Sequence, residues 1–268
     1  MTCLPSLLLR LLLFCVVVAA PGLGPGLRAQ DALTARQIVD RSLDTQSVGF
    51  GDGEAQMTLL IQDASGETRQ RSLTVRGRRA EGQGRHAVVR VTAPAAQAGQ
   101  AYLFRENPSG EDEVHVFLPA IDAAPRRVSG SQKNGAFMGT HFTYADLESR
   151  DIRQADYTRE ADETIGTFPV YVIQAIPQAG SGTDYASVRL WIRQSDFIPL
   201  RIRFYDASGT TLKTLFTQET AVANGRIYAR RVALSVPDGG STTMIIESMN
   251  FDADVSAAEL TPQALALP

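Results

Sequence analysis

Met57-Thr58-Leu59-Leu60-Ile61-Gln62-Asp63-Ala64-Ser65-Gly66 is the stretch whose reading decides the fold of this 268-residue chain. Met57, Leu59 and Ile61 occupy every second position, the period that sends side chains to one face of a β-strand. The Asp-Ala-Ser-Gly that follows is turn chemistry: Asp can bond the backbone two residues on, and Gly takes a positive φ without a steric cost. The same tetrapeptide recurs at 206–209, again between strand-like runs. Leu73 and Val75, then Ala87, Val89 and Val91, continue the alternation, and Asn224-Gly225 is a two-residue hairpin turn between 214–221 and 226–236.

Further strands are expected at 101–106, 113–118, 168–176, 187–193, 198–205, 212–217 and 242–250. About ten or eleven short strands with turn signals between them and little helix give a mainly β fold, one large curved antiparallel sheet or an open barrel. One helix is expected near the start. Thr34 and Gln37 form a capping-box pair, and Ala35, Ile38, Val39, Ser42 and Leu43 follow at helical spacing, a stripe for core packing or for a lid over a cavity. Nothing between 50 and 250 reads as a linker. Residues 119–148 do not alternate and form an ordered excursion from the sheet, whereas the polar interval 156–164 is expected to be a solvated connection.

The N-terminus is a leader. Arg10 precedes the apolar run 11–20, and a Gly/Pro-rich segment ends at Leu27-Arg28-Ala29. A membrane span needs roughly 17–25 apolar residues, so 1–29 is expected to be a cleaved signal peptide and 30–268 a single periplasmic domain. Phe14 before Cys15 spoils a lipoprotein processing box. Both cysteines, Cys3 and Cys15, leave with the leader, so no disulfide partner, thiolate or Cys-ligated metal is expected. Removing Arg10 and Arg28 takes the 26 basic residues to 24 against 29 acidic, a balance of −5 with no basic block suited to nucleic acid.

Catalytic signatures are missing from the sequence. His86, His115 and His141 stand far apart in no zinc-ligand spacing, and no nucleophile elbow, phosphate loop or dinucleotide fingerprint occurs. Gly82-Gln83-Gly84 and Gly180-Ser181-Gly182 are loop glycines, and the pairs Asp52/Glu54 and Asp112/Glu113 read as surface charge. No enzyme activity, cofactor or metal is expected. Apolar side chains on the strands exceed what one helix can cover, which in an exported chain suggests a hydrophobic ligand.

Two passages carry a family resemblance. Phe117-Leu118-Pro119-Ala120, Arg126-Arg127-Val128 and Phe137-Met138-Gly139-Thr140-His141-Phe142-Thr143-Tyr144-Ala145-Asp146-Leu147 form the first; Leu190-Trp191-Ile192-Arg193 running into Phe197-Ile198-Pro199-Leu200-Arg201 forms the second. Over about 33–250 the chain resembles the LolA-like outer-membrane lipoprotein-sorting proteins, in the branch found with RND-type exporters. The resemblance implies an unclosed half β-barrel of the LolA/LolB kind with helices or a loop over its mouth. It also implies a carrier or chaperone for a lipidated protein or other lipid, or alternatively an accessory subunit docking on an RND-type transporter through 119–147.

The expected lipid-contacting residues are Met57, Leu59, Ile61, Leu73, Val75, Val89 and Val91 on the strands and Phe137, Met138, Phe142 and Tyr144 at the mouth, with Met and aromatics suited to variable alkyl chains. Arg126 and Arg127 beside the mouth are expected to meet a headgroup phosphate or to pair with Asp146. Trp191 shares a strand face with Arg189 and Arg193, opposite Leu190 and Ile192, and reads as a packing residue.

Overall fold

The computed structural model describes residues 33–45, 52–80, 84–148 and 154–267; the expected leader 1–29 and Gly82-Gln83 lie outside these ranges. Thr34 stands in extended backbone and opens α1 (Ala35–Asp44). Its hydroxyl accepts from the Gln37 N–H at 3.2 Å, and the Gln37 side chain accepts from the Thr34 N–H at 2.9 Å, the reciprocal box that the sequence predicts. Ala35, Ile38, Val39 and Ser42 are its buried stripe.

Among the described residues fourteen strands make one sheet. They are β1 (Gly53–Gln62), β2 (Thr68–Ala80), β3 (Gly84–Ala93), β4 (Ala101–Arg105), β5 (Glu113–Phe117), β6 (Arg126–Val128), β7 (Ala155–Arg159), β8 (Glu163–Ile165), β9 (Phe168–Pro177), β10 (Ser187–Arg193), β11 (Pro199–Tyr205), β12 (Thr211–Ala223), β13 (Arg226–Ser235) and β14 (Ser241–Asn250). The spatial order runs from β6 back to β1, crosses to β14 and returns through β13 to β9 and β7, with β8 also on β9. First and last strands therefore meet in the middle, antiparallel, from Glu54 opposite Asn250 to Gln62 opposite Ser241. The edges are β6 and β7, which do not pair, so the sheet is an unclosed half-barrel.

The hairpins follow local chemistry. Asp63 Oδ1 accepts from the Ser65 N–H (3.0 Å), the Ser65 hydroxyl (2.6 Å) and the Glu67 N–H (3.1 Å), and Gly66 takes φ +90°. Asp206 repeats the arrangement with Ser208 and Thr210 at 2.7–2.9 Å. Bonds from the serine side chain and the turn backbone hold both carboxyls below the ordinary aspartate range. Asn224 (φ 48°) and Gly225 (φ 72°) form the two-residue turn joining Ala223 to Arg226, with both central residues left-handed as the favoured hairpin twist requires.

The interval 156–164 is not a solvated connection. It carries β7 and β8, both paired to β9. A terminal strand keeps polar residues on its open side, so composition hides its pairing; Ala155 faces the core while Asp156 and Thr158 are exposed.

Register shifts in β1, β2, β10, β11 and β12 mark bulges, which add bend and twist to an antiparallel sheet. The inner face carries two apolar clusters. Met57, Leu59, Leu73, Val75, Val89, Val91, Tyr102 and Phe104 belong to the first, from β1 to β6. The second joins α1 to Ile173, Leu190, Ile192, Ile202, Leu215, Val232 and Leu234, from β7 to β13. On the outer face Val88, Ala101 and Leu103 pack under Val255, Leu260 and Leu265 of the C-terminal segment. Arg76 ties that segment down through Glu259 (2.8 Å), and Arg90 through the Ala264 carbonyl (2.6 Å). Trp191 also faces outward, 2% exposed, with Arg189, Arg201 and Arg203 stacked 4.8, 5.3 and 5.5 Å from its ring centre and its indole N–H donating to Glu163 at 2.9 Å. That is the packing role its sequence neighbours suggest.

Gly53 joins the two halves where β1 meets β14. It holds φ +98°, and a Cβ there would stand 2.2 Å from the Asn250 carbonyl oxygen, a backbone atom that cannot swing away. Gly53→Ala is expected to lower unfolding stability by about 2 kcal/mol or more, read by urea denaturation, whereas Gly66→Ala, with open space around it, should cost less.

Candidate functional site

The excursion after β6 turns inward and crosses the inner face of the sheet. Phe137 is 3% exposed and sets its ring edge-on to Tyr102 (5.0 Å), Phe104 (5.7 Å) and Tyr144 (5.7 Å). Met138, 8% exposed, sits at φ 51°, a conformation uncommon for a side-chain-bearing residue, with its side chain packed in the cluster that Phe137 joins; Gly139 follows at φ 68°. The Phe137 N–H donates to the Phe142 carbonyl (2.8 Å) and the Thr140 hydroxyl to the Phe137 carbonyl (2.6 Å), which closes the turn on itself.

Polar bonds then fix where the excursion lands. The His141 N–H donates to the Thr242 hydroxyl oxygen at 3.0 Å, and its ring Nδ1 lies 2.9 Å from the same atom on β14. Gly240 makes room for that ring, since a Cβ would lie 2.4 Å from Nε2. Asp146 meets Lys213 Nζ of β12 at 2.8 Å and accepts from the Tyr185 hydroxyl (2.6 Å) and the Thr143 N–H (2.7 Å). This ion pair is buried, with side chains 4% and 13% exposed. Lys133 pairs with Glu148 at 2.9 Å and donates to the Asp112 carbonyl at 2.8 Å.

The excursion fills the first half of the inner face and leaves the second half hollow. A cavity of about 160 Å³ remains beneath α1, walled by Val39, Leu43, Phe142, Leu190, Ile202, Phe204, Leu215 and Leu234. Its margin carries Arg85, Glu106, Asp146, Glu148, Tyr157 and Tyr185. Arg85 Nη2 donates to the Leu43 carbonyl at the end of α1 (2.5 Å), and burial draws its guanidinium below the ordinary arginine range. Burial likewise pushes the Tyr157 phenol up to about 12, and its hydroxyl has no hydrogen-bond partner among the described residues.

Of the residues expected to contact lipid or a headgroup, Phe142 and Asp146 line this cavity, and Val39, Ser42 and Leu43 of the helix stripe line it too. Met57, Leu59, Leu73, Val75, Val89 and Val91 lie instead in the filled cluster closed by Phe137 and Met138, against which Tyr144 packs; Ile61 is 1% exposed. Arg126 pairs with Asp122 at 3.5 Å, and Arg127 sits exposed on the edge strand β6 opposite His115. The pairing anticipated between these arginines and Asp146 is taken by Lys213. Arg85 and Tyr157 were not anticipated: neither belongs to a motif, and each becomes visible only through what faces it. Leu190, Ile202, Phe204 and Leu215 carry the same period-two signal as the first-half residues, so alternation cannot say which half stays open.

Among the described residues no group of His, Cys, Asp and Glu could hold a metal ion, and no helix is long and apolar enough to cross a membrane. A family model described only as "-like: Uncharacterized protein" matches residues 83–266. Among curated proteins none matches the chain. A candidate outer membrane lipoprotein-sorting protein domain from Vibrio parahaemolyticus is similar in structure, with TM-score 0.77 and 25% identity over 87% of this chain and 99% of that one. A DUF1329 family protein from Desulfovibrio piger has TM-score 0.78 and 21% identity over 87% and 100% of the two chains. A LolA superfamily protein from Nitrosomonas europaea has TM-score 0.66 and 22% identity over 86% and 98%. The last two establish the fold.

Removing one member of the buried Asp146–Lys213 pair leaves the other desolvated and uncompensated. Lys213→Met is expected to lower unfolding stability by about 3 kcal/mol in urea titrations, and the double change Lys213→Met with Asp146→Leu should recover most of that loss.

Proposed function

The chain belongs to the family matched over residues 83–266 and has the LolA-like fold, and from that premise we propose that it is an exported, periplasmic carrier that shelters a lipid or the acyl part of a lipidated protein. The observation that carries this reading is the apolar hollow between α1 and the inner face of β9–β13. Binding there is burial without a covalent step, at about 25 cal/mol for each Å² of apolar surface withdrawn from water. The donor and acceptor would be membrane-bound, and release would follow transfer of the chain to a second apolar surface.

Entry requires α1 to move, because Val39 and Leu43 form the cavity's cover. The helix is held at its ends by arginines: Arg159 donates to the Leu33 carbonyl at 3.0 Å and Arg85 to the Leu43 carbonyl. Both bonds are charge-assisted and break without disturbing the sheet, which suits a reversible cover. A transporter-docking role for 119–147 has narrower support. Phe137, Met138 and Phe142 face inward, and the exposed residues fall mostly between Pro119 and Gln132, Ile121 being 76% exposed.

Native mass spectrometry of gently purified protein is expected to show a co-purifying lipid, and repeated preparations that neither contain nor take up any lipid would refute the carrier reading. Arg85→Leu removes a charge-assisted bond of about 1.5–3 kcal/mol and should shift α1 toward the open state by about tenfold or more, seen as faster uptake of a fluorescent acyl probe in stopped flow.

A further inference from the structure

Among the described residues the buried lysines and arginines are Arg71, Lys133 and Arg193, 9%, 9% and 7% exposed. Lys133 meets Glu148 at 2.9 Å, and Arg193 meets Asp196 at 2.8 Å. Arg71 has no such partner. It makes no ion pair or hydrogen bond among the described residues, and the charge that acts on it at neutral pH is another cation, Arg69. Burial, and then the repulsion from Arg69, hold its guanidinium below the ordinary arginine range. A desolvated cation facing a second cation costs stability, and its retention points to a counter-charge that arrives with a ligand.

Register places Arg71 on the inner face near the Asp63 hairpin, opposite Leu59 of β1 as Leu73 is opposite Met57. On the same face Tyr102 of β4 stands opposite Val116 of β5, and Val116 opposite Arg126 of β6. The charges of Arg71 and Arg126 both act on the Tyr102 phenol, and that of Arg126 acts on Tyr144, whose ring centre lies 6.4 Å from that of Tyr102. Burial raises both phenols, so each keeps its proton at neutral pH. The Tyr102 hydroxyl donates to Gln100 Oε1 at 3.2 Å, whereas the Tyr144 hydroxyl makes no hydrogen bond among the described residues. Asp122 answers Arg126 through Nε at 3.5 Å, and Asp63 lies in the field of Arg69. The cation left unanswered is Arg71.

We propose that this corner of the inner face binds a phosphate group, free or on a lipid, which supplies the counter-charge to Arg71 and meets Arg126 and the Tyr144 hydroxyl. A carboxylate is filled by one guanidinium fork. A phosphate has oxygens enough for a fork, a second cation and a hydroxyl together. None of the three residues lines the hollow under α1, so the site goes beyond the carrier reading and does not rest on it.

Isothermal titration of the full chain at low ionic strength tests it, with inorganic phosphate, dihexanoyl phosphatidic acid below its micellar concentration, and dihexanoylglycerol as the probe without a phosphate. Inorganic phosphate is expected to bind, with Arg71→Met weakening it by about tenfold or more and Tyr144→Phe by about fivefold. Arg71→Met should also raise the urea midpoint, because it removes an uncompensated buried charge and keeps an apolar stem. Phosphatidic acid that binds more tightly than inorganic phosphate, with the same loss in Arg71→Met, assigns the group to a lipid head; equal affinity assigns it to a water-soluble phosphate. Neither phosphate probe binding, or Arg71→Met leaving both affinities unchanged, would overturn the site. So would a lowered urea midpoint, which would make Arg71 a structural residue, or an equal weakening of dihexanoylglycerol, which would show a loss not specific to phosphate. Dihexanoylglycerol failing to bind while phosphate binds would count against the carrier reading and leave this site standing.

Discussion

The landing of the 129–148 excursion on the inner face is the contact on which the rest of the site depends. Phe137 and Met138 enter the first half of the half-barrel and complete its core. Asp146 and His141 then fix the returning chain to β12 and β14, through Lys213 and Thr242. An apolar wedge sets the depth and buried polar bonds set the register. A half-barrel without this crossing would expose most of its inner face to water; with it, the portion under α1 remains unfilled.

The result is a division of labour along one continuous sheet. From β1 to β6 the structure is packed on both faces, with the excursion inside and the arginine-tied C-terminal segment outside. From β9 to β13 the inner face is covered by α1 together with Phe142 and Leu147 of the excursion, and the outer face is stiffened by the arginine stack on Trp191. A rigid wall facing a lightly held helix is a sound arrangement for a cavity that must admit and release a chain, since the helix can move while strand pairing stays intact.

Electrostatics restrict what the cavity can accept. The acids at its margin have counter-charges or donors supplied by the protein, whereas the Tyr157 hydroxyl and the Arg85 Nε have no partner among the described residues. Arg85 holds the cover through Nη2, while its buried Nε has no hydrogen-bond partner among the described residues.

Local chemistry wrote much of this fold into the sequence. The repeated Asp-Ala-Ser-Gly turns, Asn224-Gly225, the Thr34/Gln37 box and the period-two runs each act over a few residues, and each appears where the sequence places it. Edge strands β7 and β8, and β6 inside the stretch expected to leave the sheet, escaped because their polar composition matches that of a loop. The position of the cavity was not legible. Met57, Leu73 and Val89 carry the same alternating signal as Leu190, Ile202 and Leu215, yet the first three are covered by Phe137 and its neighbours and the last three remain near open space. Which set is covered depends on contacts such as Asp146 to Lys213 and His141 to Thr242, separated by 67 and 101 residues. Periodicity fixes which way a side chain points; only the folded chain decides what stands opposite it.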